Sequence, residues 1–192
     1  MAAEGAEIVH DNSGDRDIRH LLTRRFLVAD DSDVGHFIVR DCDSVVSERE
    51  AAAVAEWIDS GLPFHAMRDW YTHTDPMLAG MWGGVAGVFP SMAAAIASFR
   101  ATNPLNTNWD QHLLREQVWP AIRDHVMVHD RLFNAHATRR FPTPTPTPQT
   151  AHVGQNEFAT DKAGQAAALA DFADRIPALA LPRPVKLDFK LG

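Results

Sequence analysis

Short apolar runs broken by polar stops mark out the elements along most of this chain. His36–Arg40 (HFIVR) is a compact apolar run that predicts a strand, halted by Asp41-Cys42-Asp43-Ser44. Ser47 followed by Glu50 is a capping box, and Ala51, Val54, Ala55 and Ile58 recur at helical spacing, so Glu48–Ser60 predicts a helix. Gly61 supplies its left-handed C-terminal cap. Residues 63–67 (PFHAM) predict a second strand, and Val126, Met127 and Val128 a third, ending in His129-Asp130. Between them, Pro90 suits the first turn of a helix through Met92, Ala95, Ile96 and Phe99. A further helix is expected over 110–119, stopped near Pro120, while residues 25–29 (RFLVA) suit either a short helix or a strand. Strand, helix, strand, helix, helix, strand is an α/β order.

The pattern then changes. Residues 142–148 alternate proline with threonine and favour an extended strap, and 165–174 is an alanine-rich amphipathic stretch expected to be helical. Three regions follow: a polar, poorly packed start at 1–20, a folded unit at 21–140, and a proline-rich strap with a C-terminal helix and tail at 141–192. The 192 residues suit a single folded unit of this kind.

Charge narrows the partners. Eighteen Lys and Arg against 25 Asp and Glu leave a net charge of −7, which argues against a general nucleic-acid or anionic-membrane binder. The single cysteine, Cys42, excludes an intrachain disulfide and a multi-cysteine zinc site. Residues 77–99 carry no charge, but Gly80, Gly83, Gly84, Gly87 and Pro90 make them a buried loop and helix rather than a membrane span. The acidic start has no apolar signal-peptide core, so a cytoplasmic location is expected.

Asp41-x-Asp43 stands at the end of a predicted strand, where α/β sheets bind ligands. Two carboxylates so placed can share a divalent cation, directly or through water; a charged exit from the strand is the plainer reading. Other polar clusters fall near element ends. His65, Arg68, Asp69 and His73 follow the second strand, Asp110-Gln111 opens a helix that Asp110 could simply cap, and His129-Asp130 closes the third strand.

The phrases Arg40-Asp41-Cys42-Asp43-Ser44, Arg49-Glu50, Phe64-His65-Ala66-Met67-Arg68-Asp69, Gly80-Met81-Trp82-Gly83, Asp110-Gln111 and His129-Asp130 occur in that order over 25–133. In this the chain resembles bacterial capsule- and polysaccharide-type glycosyltransferases of the metal-dependent GT-A group. The resemblance implies a partial GT-A sheet, Rossmann-like, with flanking helices. It implies a nucleotide-sugar donor of UDP or GDP type, a glycan or small-molecule acceptor, and Mn2+ or Mg2+ held by Asp41, Asp43 and His129. Asp110 would bind the sugar or act as general base, with Arg68 and Asp69 beside it in the catalytic group. Ser44, His65, Gly80, Trp82, Gly83 and Gln111 would join the two aspartates around the donor, Trp82 as an apolar platform and Arg68 as a phosphate or acceptor fork. Core packing for Trp82 and a salt bridge for Arg68 are the competing assignments.

A GT-A nucleotide-binding half holds roughly 100 residues ahead of the paired aspartates, whereas 40 precede Asp41 here. The first strands of that half are therefore expected to be missing, leaving room for an oligomer or a complementing N-terminal half. Two alternatives stand beside this. The run HFIVRDCDSVVS also resembles the opening of haloacid-dehalogenase-type phosphatases, with Asp41 as nucleophile and Asp43 as general acid, although no lysine precedes Lys162. A non-catalytic remnant or binding module is the other.

Overall fold

A computed structural model of the protein describes residues 5–10, 14–133, 138–143, 152–156, 158, 161, 163–164, 167–168 and 170–171. The chain enters through α1 (Ile18–Leu21), where Asp17 accepts the Arg19 N–H as N-cap, and runs on as a 3-10 helix over Leu22–Asp30. The ambiguous 25–29 run is thus helical, with Phe26 and Ala29 buried. Strand β1 (His36–Arg40) follows as expected, its Phe37 and Val39 turned inward.

Helix α2 (Glu48–Ser60) starts where Ser47 accepts the Glu50 N–H and stops at Gly61, whose φ of +70° only glycine adopts without strain. The reciprocal half of the capping box is diverted: the Glu50 carboxylate pairs with Arg40 instead. Strand β2 (Phe64–Arg68) lies one residue later than its pattern suggested and is buried throughout. In α3 (Met92–Thr102), Ser91 caps Ala94, and Asp30 accepts the Met92 and Ala93 N–H groups at 2.7 and 2.8 Å. Pro90 therefore precedes the cap rather than entering the first turn.

Two further expectations change. The glycine-rich phrase after Gly80 is strand β3 (Met81–Val85), not a loop. Nor does Pro120 end the helix that precedes it. Helix α4 (Trp109–Leu113) passes through a π-helical turn over Leu114–Val118 into α5 (Trp119–Ile122), with Pro120 in the first turn of the last piece. That wider turn accommodates a residue with no N–H to donate. Strand β4 (Val126–Asp130) closes the unit.

The strands form one mixed sheet in the order β1-β3-β2-β4, with β3 antiparallel to both neighbours and β2 parallel to β4. Alternation along each strand divides two cores. Phe37, Phe64, Ala66, Trp82 and Val128 join Phe26, Met92, Phe99, Trp109, Leu113 and Leu114 on one side. On the other, Met67 and Met81 pack with Ala53 of α2, Phe141 and Val153. This is an α/β fold, a four-stranded mixed sheet flanked by helices. No helix among the described residues is long and apolar enough to cross a membrane.

Registers of Arg40 with Met81 and of Arg68 with Asp130 bring the ends of β1, β2 and β4 and the start of β3 to one edge of the sheet. The 142–148 strap falls mostly outside the described residues, as does much of the expected helix over 165–174.

Candidate functional site

Asp41 leaves the end of β1 with its side chain half exposed and ion-paired to Arg25. The same guanidinium reaches the Asp110 carboxylate at 3.0 Å. Asn108 holds the N-cap position without a side-chain bond, and Asp110 in the first turn of α4 accepts the Gln111 N–H at 2.9 Å with Oδ1 while Oδ2 faces Arg25. The Asp41 carboxylate lies directly over Gly80, where a Cβ would stand 2.1 Å from Oδ2. A side chain at position 80 would push the Asp41 carboxylate aside, so Gly80 sets where that carboxylate rests. Positions 25, 41, 80 and 110 meet at one point on the sheet's edge.

Asp43 points to the chain that returns from the strap. Asn156 Nδ2 donates to Asp43 Oδ2 at 2.6 Å, Ser44 forms a backbone bridge with Asn156, and the Val45 N–H donates to the Gln155 carbonyl at 3.2 Å. Gln111 anchors the loop before β3: its carbonyl accepts the Ala79 N–H at 3.0 Å and its amide donates to the Met77 carbonyl.

The remaining candidates serve the framework. Asp69 has no exposed surface; it accepts the Arg49 Nε and Nη2 groups at 3.0 Å each and the Val153 N–H at 3.0 Å. One carboxylate thereby ties α2, the end of β2 and the returning chain together. Arg68 is buried, its Nη2 paired with Asp130 and its guanidinium over the Phe133 ring, while its Nε is buried without a hydrogen-bond partner. Burial pushes its pKa below the usual arginine value, opposed by Asp130. Asp130 also accepts the Leu132 and Phe133 N–H groups at 2.8 Å. Trp82 is 1% exposed and packs edge-on against Phe26 and Phe37, the core assignment. Gly83 lies within β3, where a Cβ would meet the Phe37 carbonyl at 2.5 Å.

His129 sits beneath α2 rather than beside the aspartates. Its Nδ1 is 2.8 Å from His65 Nε2, and its Nε2 faces Glu56 at 3.4 Å. Glu56 as acceptor fixes the order: His129 Nε2–H donates outward and His65 Nε2–H donates to His129. His65 Nδ1 is then left buried without a partner, its ring stacked on Trp57. Burial, then the neighbouring His129 and Arg40, push His65 down to about 2; burial also lowers His129 against the pull of Glu56. With both ring nitrogens engaged, His129 does not complete a metal site.

Among the described residues, no three His, Cys, Asp or Glu side chains stand close enough to share an ion. Asp41 is turned to Arg25 and Asp43 to Asn156, so a cation shared by the two carboxylates would have to displace those partners. Mg2+, and Mn2+ like it, is commonly held by one or two carboxylates, with water and substrate phosphate completing the shell. Sequence reasoning missed Arg25 and Asn156, because no local pattern links them to partners 16 and 113 positions away.

No known protein family, curated protein or solved structure matches this chain.

Proposed function

We propose that the protein takes part in sugar transfer from a UDP- or GDP-type nucleotide donor to a glycan or small-molecule acceptor, with Mn2+ or Mg2+ held by Asp41 and Asp43. The observation that carries this reading is the convergence of Asp41 and Asp110 on Arg25, with the Asp41 carboxylate over Gly80, where the strands end. When bound, the ion offsets negative charge on the leaving nucleotide diphosphate. Asp110 is the carboxylate for a sugar hydroxyl or, in an inverting reaction, the general base. Arg25 offsets the charge of Asp41 and Asp110 until a cation takes its place at Asp41. A GT-A sheet is the finer form of the fold that this reading calls for. Strand β1 has no strand on its outer side among the described residues, which leaves an edge for a complementing nucleotide-binding half.

The test is a Mn2+ titration of the wild-type protein against Asp43→Ala, followed by water proton relaxation. Binding by the wild type and its loss in the variant are expected. Equal binding by the two proteins removes the metal site.

A further inference from the structure

A cleft opens beside Asp43 and has no role in the site above. One wall is the loop after β2 at residues 70–73, and the other is the returning chain at 152–156. It encloses about 310 Å³, at the small end of the range of ligand clefts. Its place is fixed by the Asn156–Asp43 hydrogen bond and by the Val45–Gln155 backbone bond, so it adjoins Asp43.

The lining has a consistent chemistry. Thr72 contributes a hydroxyl, Tyr71 a phenol, and Gln155 and Asn156 carboxamides, around the stacked rings of Trp70 and His152, whose centroids are 4.1 Å apart. No arginine, lysine, aspartate or glutamate lines it. His73 accepts the Asp69 N–H at Nδ1, which leaves its ring hydrogen on Nε2. Burial, then His152 and Arg68, push its pKa down to about 3, so the ring is neutral at physiological pH. Trp70 is buried with its ring against His152, so the cleft presents neutral donors and acceptors, which match a ligand with many hydroxyls and no charge. A charged ligand would lose its hydration there without a counter-ion.

We propose that this cleft is the acceptor subsite and that it takes an uncharged, hydroxyl-rich sugar ring next to Asp43. The inference rests on the sugar-transfer reading, which supplies the reason for an acceptor; the cleft's selectivity for neutral rings follows from its lining.

Saturation-transfer NMR on the full chain tests it, using methyl glycosides of glucose, galactose, mannose and N-acetylglucosamine, with methyl glucuronoside as the charged control. At least one neutral glycoside receives saturation and the glucuronoside does not. Thr72→Trp, an exposed position that fills the cleft, reduces the transfer about tenfold, and Gln155→Ala weakens it less. Nucleotide binding with Mn2+ is measured on the same variants and stays at the wild-type level. The cleft proposal is overturned if the folded wild type transfers to no glycoside, if Thr72→Trp leaves transfer intact, or if the glucuronoside binds equally. Absent nucleotide binding in every protein instead counts against the sugar-transfer reading, whatever the glycosides do.

Discussion

Arg25 is ion-paired with Asp41 across 16 residues of chain and holds Asp110 with its other terminal nitrogen. A cation bound at Asp41 must therefore compete with a guanidinium already there. The pair is partly exposed, 23% and 50%, which limits its worth to about 0.5–1 kcal/mol. Arg25→Gln should raise Mn2+ affinity about threefold to fivefold in calorimetry at low salt, and the difference should shrink as salt is added. Weaker binding would mean that Arg25 organises the aspartates for the ion rather than competing with it.

Gly80 and Gly84 separate site from core. At Gly80 an added Cβ meets the movable carboxylate of Asp41, so Gly80→Ala should displace Asp41 and weaken Mn2+ binding with little loss of stability. At Gly84 it meets the Phe64 ring at 2.9 Å and the Phe37 ring at 3.1 Å inside the core. Gly84→Ala should cost about 1–3 kcal/mol by urea denaturation and leave metal affinity unchanged in the folded fraction.

Asp69 is expected to act on stability. Asp69→Asn removes the carboxylate that accepts two bonds from the Arg49 guanidinium, 6% exposed, at a cost of about 3 kcal/mol. Hydrogen exchange should show the Val153 amide losing protection along with global stability. Full stability with lost activity would return Asp69 to the catalytic group.

Acid should weaken the fold through two histidines whose pKa values the fold depresses. His65 and His73 fall from an ordinary 6.5 to about 2 and about 3. Because both folded values are depressed, the unfolded chain takes up protons first as the pH drops. Their contribution to stability is complete above about 6.5 and is lost progressively down to the folded values, by at most about 1.4 kcal/mol per pH unit for each group. His73→Gln, which keeps an acceptor for the Asp69 N–H, should flatten the stability profile between pH 7 and 5. An unchanged slope would show that His73 titrates normally.

Local signals made part of this fold legible in the sequence. The apolar run of β1, the Ser47 cap and the Gly61 stop each work within a few residues, and each stands where the pattern put it. Strand β3 was hidden because its glycines lack the β-branched signature; they fit because Phe37 and Phe64 fill the space beside Gly84. The helix through Pro120 was hidden because a π-helical turn is not written in a 3.6-residue period.

At the site, Asp41 and Asp43 were legible as a motif at a strand end. A salt bridge for Arg68 was legible as one of two readings, but not its partner Asp130; the roles of Asp69 and His129 were not, since each was decided by a distant partner, Arg49 and His65. Chemistry-bearing residue types near strand ends thus divided into a surface pair and a buried framework, and only tertiary contacts divide them.

The most direct test of the sugar-transfer reading is calorimetric titration of UDP and GDP into the purified, folded chain, with and without Mn2+. The account predicts that one of the two nucleotides binds in the presence of Mn2+, and that Asp41→Asn with Asp43→Asn abolishes the binding. A folded protein that binds neither nucleotide under either condition would contradict it.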